Sequence, residues 1–99
     1  EIKRLRYIDG HPSILETLYF PRKYDFLLHE NLEGSVFSIL HAHGITVHNS
    51  RRTLEISNAS SNEAGLLEIK RNSPLLLFRD YQSDSQGNPL FVCKQLYNT

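Results

Sequence analysis

Apolar and polar residues alternate near both ends of the chain, a pattern that predicts β-strands. Residues 2–9 and 13–20 form two such runs around Asp9-Gly10-His11-Pro12, a strong turn signal, and they predict an antiparallel hairpin. Pro21 ends this hairpin, and residues 22–30 are expected to hold a short helix. A second hairpin is predicted from the runs 75–81 and 90–97, which a turn-rich segment connects.

The middle of the chain has the patterns of two helices around one strand. Ser35 is expected to open the first helix, and Gly44 stands where a left-handed C-terminal cap would lie. Residues 45–57 alternate loosely and predict a long strand with one solvated face. The segment Ser60-Ser61-Asn62-Glu63 has the form of a capping box and predicts the start of the second helix.

The order of these elements decides the fold class. It runs strand, strand, helix, strand, helix, strand, strand, without the regular alternation that parallel crossovers require. The sequence therefore predicts an α+β fold, a mainly antiparallel sheet with flanking helices. The length of 99 residues is that of one domain, so residues 1–99 are expected to form one compact domain.

Composition narrows the classes of function. Eleven Lys and Arg balance eleven Asp and Glu, so there is no overall positive charge to attract DNA, and direct DNA binding by this chain is not expected. No apolar run approaches the roughly 20 residues that span a bilayer, so no membrane partner is expected. The single cysteine, Cys93, is interpreted as a buried thiol in a reducing, cytoplasmic setting. The chain begins without Met, as an excised domain would.

Cofactor and metal sites are not indicated. The sequence contains no phosphate loop, dinucleotide fingerprint or nucleophile elbow. His41 and His43 are two residues apart and would not share a helix face, and no Cys or acidic residue completes a familiar metal site around them. We therefore interpret the five histidines as surface residues.

Three charged residues of the first hairpin are the leading candidates for chemistry. Arg4 and Arg6 lie two apart and so share a strand face with isoleucines. They either extend to solvent or converge on an anion, and the residues alone favour solvent. Glu16 shares its face with Ile14 and Leu18, so it needs a partner. That partner is either Arg4 or Arg6 across the hairpin, or a donor group on a ligand.

Further candidates lie elsewhere in the chain. Ser35 reads as a helix cap, and the same helix end would also suit a phosphate or carboxylate. Arg51 and Arg52 point to opposite faces of their strand, so at most one faces a pocket. Arg52 is preferred because its face also carries apolar residues. Arg79 is another possible anion partner, with a salt bridge as the equal alternative.

Together these residues resemble the UTRA domains of GntR-superfamily transcription regulators, those of the HutC subfamily. The resemblance begins with Arg4-Leu5-Arg6-Tyr7, Asp9-Gly10 and Pro12, and continues with Glu16 and Pro21. It extends through Gly34-Ser35, His43-Gly44-Ile45, Glu63-Ala64, Ser73-Pro74-Leu75-Leu76, Asp84, Gly87, Pro89 and Leu96-Tyr97. It covers nearly the whole chain. The first short strand of the typical domain and the Gly-Asp-x-Tyr segment after its last strand are not matched.

The resemblance implies a chorismate lyase-like fold and an effector-sensing function. Family members usually bind a small anionic metabolite such as a sugar phosphate, dimerise through this domain, and act on DNA through an N-terminal winged helix-turn-helix that is not matched here. Bacterial transcription regulation without catalysis is therefore expected. The alternatives are an enzyme of the chorismate lyase type, with arginines holding a dicarboxylate, and a dimerisation module without a ligand.

The resemblance also implies ligand-binding positions. It implies that Arg4 and Arg6 bind the effector's anionic group and are not simply solvent-exposed, and it favours Glu16 as a ligand contact. Phe37 stands where the family commonly has Tyr, and Tyr97 matches a position that often closes the pocket. The implied ligand-binding set is therefore Arg4, Arg6, Glu16, Ser35, Phe37, Arg52, Arg79 and Tyr97. Members that bind amino sugars commonly have Glu-Tyr where this chain has Phe91-Val92, so a less polar wall is expected there.

Overall fold

A computed structural model describes residues 1–29 and 36–98 of the chain. Within these ranges the strands and helices follow the predicted order. The elements are β1 (Ile2–Ile8), β2 (His11–Tyr19), a 3₁₀ segment (Arg22–His29), α1 (Val36–Ala42), β3 (Asn49–Asn58), α2 (Ser61–Leu67), β4 (Pro74–Ser83) and β5 (Pro89–Asn98).

The five strands form one sheet in the order β1-β2-β5-β4-β3, and each neighbouring pair is antiparallel. Strand β2 pairs with β5, which joins the hairpin β1–β2 to the hairpin β4–β5 within one sheet. Strands β1 and β3 are the two edges. The predicted α+β class and antiparallel sheet are confirmed.

Apolar side chains cover both faces of this sheet. On one face, Leu18 and Cys93 pack with Leu27 of the 3₁₀ segment and Leu40 of α1. On the other face, Leu15 and Leu96 pack with residues of α2, including Leu67. Neighbouring residues of β2 are buried on both sides because side chains alternate between the faces of a strand. The helices thus flank the sheet, as predicted, and the structure places them on both of its faces.

Turn and cap residues fix the ends of several elements. Asp9 and Gly10 both have positive φ values, 50° and 79°, as a two-residue hairpin turn of type I′ requires. Gly44 follows α1 with φ +80°, in the left-handed conformation expected for it. Ser60 accepts a hydrogen bond from the Glu63 backbone N–H, and the Glu63 carboxylate accepts one from the Ser60 backbone N–H. The predicted capping box is confirmed.

The strand predicted over residues 45–57 needs two corrections. It begins at Asn49, because Ile45 and Val47 pack against the cluster beside α1 and do not join the sheet. Both of its faces, and not one, are largely solvated, since β3 lies at the sheet edge. Leu54 and Ile56 consequently remain 59% and 72% exposed.

No helix in the described ranges is long and apolar enough to cross a membrane.

Candidate functional site

One face of the sheet carries a group of charged and amide side chains. The strand register places Glu16 of β2 beside Gln95 of β5, and Arg4 of β1 beside Glu16. Asp80 of β4 lies opposite Cys93 of β5 and Arg52 of β3. Side chains directly opposite one another across neighbouring strands point to the same face. All five strands therefore contribute to this polar face.

Glu16 is the centre of the first charge cluster. It is only 4% exposed. Its Oε1 accepts a hydrogen bond from Arg4 Nε at 2.6 Å and also contacts a terminal guanidinium nitrogen of Arg4. Its Oε2 accepts a hydrogen bond from Gln95 Nε2 at 2.8 Å. The ion pair across the hairpin, one of the two alternatives considered for Glu16, is present and is formed with Arg4. It is compatible with a ligand nearby.

Arg6 lies at the rim of this cluster. Its terminal nitrogen is 3.9 Å from Glu16 Oε1, which is beyond hydrogen-bond distance, and its side chain is 46% exposed. In the described part of the chain no nearer acidic partner of Arg6 is found. Arg6 is thus partly exposed and makes no hydrogen bond to Glu16.

Arg52 and Asp80 form the second charge cluster. Arg52 donates to both carboxylate oxygens of Asp80, from Nε at 2.6 Å and from a terminal nitrogen at 2.9 Å. The hydrogen bond to Asp80 raises the pKa of Arg52 above its usual value. The guanidinium also lies 4.8 Å from the ring centre of Phe78, and that ring packs edge-on against Tyr97 at 5.1 Å. Arg52 is thus held in place by a bidentate ion pair and an aromatic ring.

A cleft of about 220 Å³ lies between the two charge clusters. Part of α1 and four strands line it, with the residues Arg4, Arg6, Glu16, Leu18, Val36, Phe37, Asp80, Gln82, Phe91, Cys93 and Gln95. Among the described residues, three guanidinium groups, including that of Arg52 on Asp80, and two carboxylates surround this cleft. This excess of one positive charge among them favours an anion in the cleft.

Amide and thiol groups complete the polar wall. The Oε1 atoms of Gln82 and Gln95 are buried, and neither has a hydrogen-bond partner among the described residues. Burial raises the pKa of the Cys93 thiol to about 12, and the negative charges of Glu16 and Asp80 contribute to the shift. Cys93 is a neutral, buried thiol at physiological pH, which confirms the sequence interpretation of a buried cysteine.

The cleft brings together four of the eight residues implied by the resemblance, namely Arg4, Arg6, Glu16 and Phe37. The ring of Phe37 lies 5.9 Å from that of Phe91. These two aromatic rings supply an apolar wall, and no Tyr hydroxyl stands at position 37.

Three of the other four residues do not line the cleft. Arg52 contacts the cleft only through Asp80, and Tyr97 shares the polar face without lining the cleft. Arg79 lies on the opposite face, where it forms an exposed ion pair with Glu55, so the structure does not bring it to the cleft. Ser35 lies outside the described residues.

Sequence reasoning missed Asp80, Gln82 and Gln95. Each lies in a strand, two residues from another polar or aromatic residue on the same face. For Asp80 the available signal is its position opposite Arg52, but this position is known only once the β3–β4 register is known.

None of the histidines with a described side chain, His11, His41, His43 and His48, lines the cleft. His43 stacks on Phe26, with ring centres 4.0 Å apart. Over residues 1–29 and 36–98 no three His, Cys, Asp or Glu residues are grouped so as to hold a metal ion.

The sequence and the fold of this chain are similar to those of known proteins. A family model described as the UTRA domain matches residues 1–99. The structure superposes on the C-terminal domain of Yurk from Bacillus subtilis with a TM-score of 0.88, at 18% identity, covering 97% of this chain and 68% of that one. For the effector domain of PhnF from Mycobacterium smegmatis the TM-score is 0.84, at 22% identity, covering 97% and 60%.

A GntR-family transcriptional regulator from Enterococcus faecalis matches with a TM-score of 0.81 and 26% identity, over 96% of this chain and 70% of that one. The chain spans 44% of the length of another PhnF structure from Mycobacterium smegmatis. It therefore corresponds to part of such regulators.

Proposed function

Because the chain belongs to the UTRA domain family, we propose that it is the effector-sensing domain of a bacterial, cytoplasmic transcription regulator, and that it binds a small anionic metabolite in the cleft between Arg6 and Phe37. The observation that carries the proposal is the guanidinium of Arg6, half-exposed at the cleft rim and beyond hydrogen-bond distance of Glu16. Arginine suits phosphate and carboxylate groups because its planar donors bind two oxygens at once.

The proposed role is binding without chemistry. Effector binding would change DNA binding by an N-terminal domain only if the effector has different affinities for the DNA-competent and incompetent states. The relatives are described as effector domains or transcriptional regulators, which supports a sensor over a lyase. A lyase would release product from a chorismate-like substrate, whereas a sensor binds its ligand unchanged.

A thermal-shift screen with sugar phosphates, phosphonates and carboxylates tests the proposal. Ligand that binds only the folded state raises the melting temperature by mass action. We expect at least one anion class to stabilise the protein, and Arg6→Ala to reduce that stabilisation strongly. Arg79→Ala is the matched control, because Arg79 lies on the opposite face and should leave the shift unchanged. If no anion stabilises the domain, or if Arg6→Ala retains the full shift, the proposed site is wrong.

We also propose that the domain forms a homodimer through β3. This edge strand exposes Leu54 and Ile56, at 59% and 72%, on a long unpaired edge. Such edges pair readily with another strand, and a lysine on the edge opposes pairing. Sedimentation analysis should show a dimer that Ile56→Lys dissociates. Ile8→Lys, on the other edge strand at 54% exposure, is the control and should leave the dimer intact.

A further inference from the structure

The carboxylate of Asp80 is a negative charge in the wall of the cleft that we propose for an anion. Asp80 lines this cleft and is only 8% exposed. A compact cleft of about 220 Å³ is roughly 7 Å across, and at that distance two like unit charges weaken binding about fiftyfold at an effective dielectric constant of about 20. The charge of Asp80 therefore bears directly on whether the cleft accepts an anion.

Arg52 of β3 balances this charge. It donates to both carboxylate oxygens of Asp80, at 2.6 Å and 2.9 Å. Among the described residues it is the one cation paired with Asp80, and residues 30–35 and 99 contain no Lys, Arg or His. Arg52 is not among the described residues that line the cleft. Its influence on a bound anion would therefore pass through Asp80.

Two aromatic rings keep the guanidinium of Arg52 on Asp80. The side chain of Arg52 is 54% exposed, and ion pairs formed by exposed side chains are usually weak. Here the guanidinium also lies 4.8 Å from the ring centre of Phe78, and Tyr97 packs edge-on against that ring at 5.1 Å. A bidentate hydrogen bond together with an aromatic ring fixes the guanidinium in one orientation. An exposed arginine is thereby held on a buried carboxylate.

The other groups around Asp80 do not replace Arg52. Cys93 faces Asp80 from β5, and burial raises the pKa of its thiol to about 12, so it is neutral. The side chains of α1 that line the cleft are apolar. Arg4 donates to Glu16, and Arg6 lies 3.9 Å from the same carboxylate. The charge of Asp80 is therefore balanced from the sheet edge, by Arg52.

We infer that Arg52 is a positioning residue of this site, which holds the carboxylate of Asp80 and cancels its charge, so that the cleft accepts an anion that Arg52 itself does not touch. The inference rests on the proposed function, in which Arg6 contacts the anion. Without Arg52, Asp80 is a buried carboxylate without a cation, and it repels an entering anion unless it takes up a proton. Anion binding then depends on pH, which the loss of a merely structural arginine would not cause.

Sulfate is a suitable probe, because it stays a dianion between pH 5 and pH 8 and any proton taken up must bind to the protein. NMR titration at constant ionic strength gives its dissociation constant. At pH 8 we expect Arg52→Gln to bind sulfate about tenfold more weakly than the wild type, since water in the cleft screens part of the repulsion. At pH 5 the difference should shrink to about threefold or less, because Asp80 then binds a proton together with sulfate.

Arg51→Gln is the matched control. It removes the same charge from the next residue of β3, but Arg51 lies on the other face of the sheet, 4.5 Å from the ring centre of Tyr81. Screening across that distance should keep its sulfate affinity within about twofold of the wild type. The double variant Arg52→Gln/Asp80→Asn should recover most of the affinity and lose the added pH dependence. Asp80→Asn alone should bind sulfate at least as tightly as the wild type.

Three results would overturn the inference while the anionic site stands. Arg52→Gln could bind sulfate as the wild type does, it could be weakened equally at pH 5 and pH 8, or the double variant could stay as weak as Arg52→Gln. If the wild type does not bind sulfate, the inference falls, and the anion screen decides the proposed function separately. Should Arg52→Gln not fold, weaker sulfate binding by Asp80→Asn than by the wild type would contradict the inference.

Discussion

Replacing Glu16 by Gln should destabilise the domain substantially. Glu16 is 4% exposed and accepts hydrogen bonds from Arg4 Nε at 2.6 Å and from Gln95 Nε2 at 2.8 Å. The substitution keeps the shape of the side chain, removes its charge, and places an NH₂ group against donors. The guanidinium of Arg4 then loses its carboxylate partner, while its own side chain remains only 18% exposed.

The size of the effect follows from the geometry. Unit charges about 4 Å apart interact by about 4 kcal/mol at an effective dielectric constant of about 20. Breaking a fully buried ion pair costs about 3–5 kcal/mol. Arg4 retains some exposure and borders the cleft, so water offsets part of this cost, and we expect a loss of about 2–3 kcal/mol in the free energy of unfolding. For a domain of this size that lowers the melting temperature by roughly 10–20 °C.

Urea unfolding followed by circular dichroism measures the change. Glu55→Gln is the matched control, since Glu55 also pairs with an arginine on the neighbouring strand, but at the sheet edge on the opposite face, where the two side chains are 37% and 54% exposed. Exposed pairs contribute about 0–1 kcal/mol. The reasoning would be refuted by equal losses in the two variants, or by a loss below about 0.5 kcal/mol for Glu16→Gln.

Further predictions concern Gly44, Gly65, Ser60 and Cys93. Gly44→Ala should lower the free energy of unfolding by about 1–2 kcal/mol, because φ is +80° at this position. Gly65→Ala, inside α2 with open space around an added Cβ, should raise the free energy of unfolding by about 0.5–1 kcal/mol. Urea unfolding measures both changes. Ser60→Ala removes the α2 cap and should lower the free energy of unfolding by about 1 kcal/mol in the same assay. Cys93, with its pKa raised by burial to about 12, should resist a thiol reagent at pH 8 until urea unfolds the protein. Between about pH 8.5 and pH 12 the Cys93 thiol ionises in the unfolded chain but not in the folded one, so the free energy of unfolding should fall as the pH rises through this range. Cys93→Ala should remove that part of the pH dependence.

Local features of the fold could be predicted because the residues that specify them are adjacent in the chain. Asp9-Gly10 fixes the first turn, and Ser60 with Glu63 fixes the start of α2. Alternation along a strand also predicts that Arg4 and Arg6 share a face, because side chains two apart point the same way. The contact of Arg4 with Glu16 follows from the hairpin register and was among the alternatives considered.

Long-range pairing was the part that the sequence could not supply. Gln95 reaches Glu16 through the β2–β5 pairing, which joins residues 79 positions apart. Arg79 shows a second difficulty. It shares its strand face with Leu75 and Leu77, which are buried in a core, but the sheet has a core on each face and the cleft lies on the other one. A pattern of apolar residues along a strand shows which of its side chains are buried, but it does not show on which of the two faces of the sheet they lie.

The two cores also explain how this sheet face can carry so many polar groups. Leu15, Leu67 and Leu96 form a core with α2 on the opposite face, so the hydrophobic packing of the sheet is shared between its two faces. The cleft lies where α1 meets that polar face, with Val36 and Phe37 on one side and strand residues on the other. A bound anion would therefore contact both Arg6 of β1 and the side chains of α1. Any difference in the position of α1 between two states of the regulator would change the affinity for that anion, which is the differential affinity that an effector needs in order to shift an equilibrium.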